Sequence, residues 1–171
     1  MMKNNILLFS LLMFMQVFVL NKILFFDYVL LAPYVLVLIL YPYYKDSIIT
    51  LVIGFLLGLI VDVFNDSLGL YSFISIIILY FKNSWVLKII GEEKAEEISL
   101  MSIFNLGSFK FFNFSFPIVM LYYILLLIFE SNAFFTLNAF FILLFSSIST
   151  YVFMILIQYL FLKLDLKNEW K

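Results

Sequence analysis

The chain has 171 residues, of which 66% are hydrophobic and only 12% are charged, and its mean hydropathy is +1.17. Water-soluble domains carry about half apolar and a quarter charged residues, so this composition indicates an integral membrane protein with a single domain, residues 1–171. Cysteine and histidine are absent, which excludes disulfides, thiol nucleophiles, imidazole acid–base chemistry and the common zinc sites. The net charge of −1 does not indicate a partner, and no cofactor, metal or nucleic acid is expected.

Six apolar runs predict six membrane-spanning helices, because about 20 residues of helix cross the hydrocarbon core. The predicted spans are about 5–21, 28–44, 47–64, 68–81, 112–130 and 138–162. No small-residue cleavage site follows the first run, so it is interpreted as a retained helix rather than a removed signal peptide. The predicted fold class is an all-α integral membrane protein.

Two prolines mark the ends of the second span. Pro33 lies near its start, where proline costs a helix little, and Pro42 lies among tyrosines near its end. Aromatic side chains cluster at the membrane–water interface, so residues 41–44 are expected at that depth.

Residues 82–110 are the only long charged segment and are predicted to be cytoplasmic. The segment contains Lys82, Lys88, Lys94, Lys110, Glu92, Glu93, Glu96 and Glu97. Its residues 85–100 are interpreted either as a helix that lies on the membrane surface or as a solvated loop.

Both termini are predicted to face the cytoplasm. This topology places nine lysines inside the cell and only Lys22 outside, in agreement with the positive-inside rule. Four acidic residues then lie toward the outer side, namely Asp27, Asp62, Asp66 and Glu130. A cation or proton site made from them is a weaker alternative, since the spans show no basic partner and no alternating helix breaks.

The most informative stretch of the sequence is 54–70. Gly54, Gly58 and Asp62 recur every four residues and therefore share one helix face. Glycines on that face allow another helix or a ligand to approach the backbone closely, and a carboxylate there should point toward protein or trapped water. Asp62 is expected at the far membrane boundary or just inside it, and the alternative is a surface aspartate that faces lipid headgroups. Asp66 is expected in a solvated turn.

No sequence motif for catalysis is present. A Walker loop, a dinucleotide fingerprint, metal-ligand spacing and a Ser–His–Asp set are all missing from the sequence. The sixth span contains four hydroxyl residues, which favour hydrogen bonds between packed helices over a nucleophile: Ser146, Ser147, Ser149 and Thr150. The residues alone predict a six-helix membrane protein without an evident catalytic site.

The stretch Gly54-Phe-Leu-Leu-Gly58-Leu-Ile-Val-Asp62, followed by Leu68-Gly69-Leu70, closely resembles the signature of the MreD family of bacterial rod-shape-determining membrane proteins. Further residues agree with the family or with its Bacteroidetes branch: Gln16, Leu20-Asn21, Pro33-Tyr34, Leu40-Tyr41-Pro42, and Phe129-Glu130 followed by Phe134. Leu70-Tyr71-Ser72 departs from the family, which usually has His and Ala after the glycine. The resemblance assigns helix packing or partner contact to Asn21, Pro33, Pro42, Gly54, Gly58, Asp62, Gly69 and Glu130.

This resemblance implies a non-catalytic scaffold subunit of the cell-elongation machinery, which builds lateral peptidoglycan. Family members lie in the bacterial cytoplasmic membrane and associate with an MreC-like protein. Through that complex they connect MreB filaments to the RodA glycosyltransferase and its class B penicillin-binding partner.

A resemblance in fold to the S components of energy-coupling-factor transporters supplies an alternative, a subunit for uptake of a small ligand. S components usually carry an Ala-x-x-x-Ala patch on the first helix. This chain has alanine only at 32, 95, 133 and 139, outside the first helix, which disfavours that alternative. A lipid-carrier accessory is a third interpretation.

Overall fold

The computed structural model describes residues 2–20, 29–44, 47–130 and 136–162, and the statements below concern those ranges. The elements are α1 (Met2–Met15) with a π-helical continuation (Gln16–Leu20), α2 (Tyr34–Leu40), α3 (Ser47–Asn65), α4 (Leu70–Ile90), α5 (Glu92–Glu97), α6 (Ile103–Leu106), α7 (Ser108–Glu130), and α8 (Leu137–Ile157) with a π-helical continuation (Gln158–Leu162). All of these elements are helical, as the composition predicts.

Within the described residues, four helices are long and apolar enough to cross a membrane. They contain the candidate spans Ile48–Asn65, Leu70–Ile90, Ser108–Phe129 and Leu137–Leu162. The stretch Leu8–Phe18 is also an apolar helix, but it is shorter. The protein is therefore an all-helical, multi-pass membrane protein.

The four long helices pack on one another in chain order, and the short helix α2 packs against two of them. Helices α3 and α4 form an antiparallel hairpin, α7 packs on α4, and α8 packs on α7. Helix α2 lies inside this arrangement, where it contacts α1, α4 and α7, and all of its residues are buried. The centre of the core is thus a short helix rather than a long one.

The second predicted span, 28–44, is not a continuous helix. Only Tyr34–Leu40 are helical, and seven residues rise about 10 Å, a third of the hydrocarbon thickness. Pro33 immediately precedes this helix, and Pro42 explains its end. The residue before a proline is driven out of the helical conformation, and Tyr41 has φ −55° and ψ 134°.

The fourth predicted span and the charged segment also need correction. Helix α4 continues to Ile90 instead of ending at residue 81, so Lys82 is a buried residue of this helix and does not begin a separate charged segment. Gly91, with φ 87°, ends the helix. Residues 85–100 form neither one continuous helix nor a single loop, because they comprise the end of α4, the short helix α5 and a connection.

The fifth predicted span starts too late, because α7 begins at Ser108 rather than at residue 112 and includes Pro117. Proline provides no amide hydrogen for the carbonyl four residues earlier, which is that of Asn113. The indole Nε1 of Trp85 donates to this carbonyl oxygen at 3.1 Å. A side chain of α4 therefore binds the acceptor that the proline leaves free.

Candidate functional site: the glycine–aspartate hairpin and the interrupted segment

The glycine face of α3 packs against α4 of the same chain. A Cβ atom added to Gly58 would lie 2.5 Å from both the Cα atom of Ser72 and the carbonyl oxygen of Tyr71. At Gly54, an added Cβ would collide with the side-chain Cδ1 of Leu79. The obstacle at Gly58 is the backbone of α4, which cannot move aside, whereas the closest obstacle at Gly54 is a leucine side chain, which can. Gly58 is therefore the position where close packing most strictly requires glycine.

Asp62 continues that face and is only 5% exposed. Its Oδ1 accepts hydrogen bonds from Ser67 Oγ at 2.6 Å and from the amide of Tyr71 at 2.9 Å. Its Oδ2 accepts from the amide of Ser72 at 2.8 Å and from Ser72 Oγ. These amides belong to the first turn of α4, where the helix supplies no acceptors. Asp62 thus caps α4 from the preceding helix, and its negative charge lies at the positive end of the helix dipole.

The turn between α3 and α4 brings Asp62 to its partners. Asp66 and Gly69 both have positive φ, at 54° and 85°. The amide of Ser67 donates to the backbone carbonyl of Asp62 at 3.2 Å. An added Cβ at Gly69 would meet nothing within 4 Å, so glycine is favoured there by backbone conformation rather than by space. Asp66 is exposed, in contrast to Asp62.

A second polar arrangement surrounds residues 29–44, called here the interrupted segment. At its first end, the amide of Leu30 donates to Ser146 Oγ at 3.0 Å and the amide of Ala32 donates to Thr150 Oγ1 at 3.4 Å. The hydroxyl of Tyr123 donates to the carbonyl oxygen of Leu30 at 2.5 Å. Non-helical backbone at membrane depth needs such partners. Ser146 and Thr150 therefore make hydrogen bonds, as predicted for the sixth span, but to non-helical backbone rather than to another packed helix. The buried hydroxyl of Ser147 has no hydrogen-bond partner among the described residues.

Lys82 binds the other end of the interrupted segment. Its ammonium donates to the carbonyl oxygen of Leu38 at 2.9 Å and to that of Tyr41, and it lies 5.6 Å from the centroid of the Tyr41 ring. The amide of Met101 donates to the carbonyl oxygen of Leu40 at 3.2 Å. Sequence reasoning missed Lys82 because a lysine after an apolar run is typical of a membrane boundary.

The remaining predicted residues do not join one site. Pro33 is buried and Pro42 is half-buried at opposite ends of α2. Asn21 and Asp27 lie outside the described residues, and Glu130 ends α7 with a side chain that also lies outside them. Among the residues with described positions, no group of three or more acidic side chains could hold a metal ion.

Comparisons with protein-family models, with curated proteins and with solved structures found no match to this chain. The functional assignment therefore depends on the residues and on their geometry.

Proposed function

We propose that this chain is a non-catalytic, MreD-like scaffold subunit of the bacterial cell-elongation machinery. The observation that carries the proposal is the close fit between the motif and the hairpin. Gly58 permits contact between two helix backbones, Asp62 caps the second helix, and Gly69 supplies the left-handed turn. A motif of this kind builds a rigid pair of helices, which suits a protein whose role is to hold partners together.

The charged groups inside the bundle support a role without catalysis. Both carboxylate oxygens of Asp62 accept hydrogen bonds from the turn and from the start of α4. The ammonium of Lys82 donates to two backbone carbonyls. In each case the charged group binds polar groups of the protein itself, as expected for a structural role.

The proposed topology in the cytoplasmic membrane has six crossings and cytoplasmic termini. Helix α1 with its π-helical continuation and the interrupted segment would add two crossings to the four long helices. Without the buried Lys82, the count is eight lysines inside and one outside, Lys22, which still favours this orientation. The eight are Lys3, Lys45, Lys88, Lys94, Lys110, Lys163, Lys167 and Lys171.

A small-ligand uptake subunit is the second candidate, and the interrupted segment is the observation that favours it. Transporters often bind ligands at the exposed ends of broken helices. Here, however, Ser146, Thr150 and Lys82 bind the described ends of the segment. A scaffold therefore remains the better proposal, and a small molecule that co-purifies with the extracted protein would reverse that order.

The test of the scaffold proposal is in-cell crosslinking followed by affinity purification and mass spectrometry from the bacterium that encodes the chain. We expect an MreC-like protein as the main crosslinked partner, together with RodA and a class B penicillin-binding protein. A tagged, unrelated six-span protein at equal abundance controls for general membrane crowding. Crosslinks dominated by an energy-coupling ATPase module would contradict the proposal and support the uptake alternative.

A further inference from the structure

Lys82 occupies a closed site made of neutral groups. It is fully buried, and its two acceptors are the carbonyl oxygens of Leu38 and Tyr41, at the C-terminal end of α2. The ammonium also lies over the face of the Tyr41 ring, 5.6 Å from the ring centroid. Carbonyl oxygens at a helix end and an aromatic face all present partial negative charge.

We propose that the C-terminal end of α2 is a monovalent-cation site and that the ammonium of Lys82 is its resident cation. In potassium channels, backbone carbonyls replace the hydration shell of a monovalent cation. An ammonium has three donor hydrogens, which match two carbonyls and one aromatic face. The inference does not depend on the proposed scaffold function.

The Lys82 ammonium is covalently part of α4, so it links the end of α2 to that helix. The carbonyls of Leu38 and Tyr41 lie at and just beyond the end of α2, where a helix leaves its last acceptors unpaired. Because Lys82 belongs to α4, an occupied site fixes the end of α2 and the bend at Tyr41 against that helix. The protein therefore needs no ion from solution to hold the interrupted segment in place.

The experiment is chemical rescue of the full-length Lys82→Ala protein in detergent. This substitution removes three methylene groups and the ammonium, which n-propylammonium supplies. We expect Lys82→Ala to lower the thermal midpoint by about 5–15 °C, from the loss of two charge-assisted hydrogen bonds. Added n-propylammonium should restore a large part of that loss, whereas tetramethylammonium at the same ionic strength, which has no N–H donor, should not.

Two further variants separate charge from volume. Lys82→Met fills the space without a cation, so we expect its midpoint to stay low and to be insensitive to n-propylammonium. Lys88→Ala removes an exposed lysine two turns along α4 and should leave the midpoint unchanged. A Lys82→Met protein as stable as the unsubstituted chain would overturn the proposal, as would equal rescue by both ammonium salts.

The test also holds if Lys82→Ala yields no folded protein. The comparison then uses the yield of monodisperse Lys82→Met protein, because methionine leaves no cavity. A yield far below that of the unsubstituted chain supports the cation site. A yield equal to that of the unsubstituted chain shows that only the volume of the side chain matters, and contradicts it.

Discussion

Asp62 and Asp66 are one helical turn apart in sequence, yet their surroundings differ completely. Asp62 is buried and accepts hydrogen bonds from two amides and two hydroxyls, whereas Asp66 is exposed in the turn. The position of Asp62 on the glycine face could be predicted from a spacing of four residues. Its capping of α4 could not be predicted, because the cap depends on the conformation of the turn between α3 and α4.

Substitution of Asp62 should therefore destabilise the hairpin far more than substitution of Asp66. Asp62→Leu leaves two buried amides without an acceptor, and we expect a loss of about 2–4 kcal/mol in the free energy of unfolding. Asp62→Asn keeps one acceptor and should lose less. Asp66→Asn is the matched control and should be nearly neutral. Thermal midpoints of the purified proteins in detergent rank the stabilities of the three variants. An Asp62→Leu protein as stable as the unsubstituted chain would refute the capping role.

Gly58 and Gly54 should respond differently to alanine. The Cβ of Gly58→Ala would press on the backbone of α4, and we expect a loss of about 2 kcal/mol or more. At Gly54 the closest atom is the end of the Leu79 side chain, which can shift, and the nearest backbone atom is the Ser75 carbonyl oxygen at 3.3 Å. Alanine also favours helix. Gly54→Ala should thus change stability by less than about 1 kcal/mol. Equal losses at the two positions, measured as thermal midpoints, would show that the backbone contact is not the cause.

At the scale of elements, the interrupted segment is the feature that the sequence predicted least well. The local signals were present, since Pro42 accounts for the extended conformation of Tyr41. The hydrogen-bond partners of the segment could not be predicted from the sequence, because Ser146 is 116 positions from Leu30 and Lys82 is 44 positions from Leu38. An apolar run of the right length indicates a span, but tertiary hydrogen bonds decide whether it stays helical. The third and sixth predicted spans, in contrast, match α3 and the α8 region closely.

The tyrosine hydroxyl that binds the interrupted segment can be removed alone. Tyr123→Phe keeps the ring but deletes the hydrogen bonds to the carbonyl of Leu30 and to the hydroxyl of Thr150. We expect a loss of about 1–2 kcal/mol, because the part-buried carbonyl of Leu30 then keeps only the longer hydrogen bond from Thr150 Oγ1, at 3.5 Å. Tyr80→Phe is the matched control, since Tyr80 is exposed on α4. Equal thermal midpoints for the two variants would contradict the proposed role of Tyr123.

At the scale of the whole molecule, the proposed orientation predicts which end of α4 is reachable from outside the cell. Leu68 precedes α4 and is exposed, and Glu93 follows it and is also exposed. The chain contains no cysteine, so single cysteines at these two positions can be labelled without background. We expect an impermeant maleimide to label Leu68→Cys in intact cells and Glu93→Cys only after permeabilisation. The reverse pattern would invert the topology.

The central functional claim is that this chain is required for rod-shaped growth, and cell shape during its depletion tests that claim most directly. In the bacterium that encodes it, depletion should turn rods into rounded cells. A plasmid copy with Asp66→Asn should restore the ratio of length to width, whereas Asp62→Leu should fail, with membrane abundance measured in parallel. Cells that keep a normal length-to-width ratio after the protein has disappeared would contradict a role in elongation.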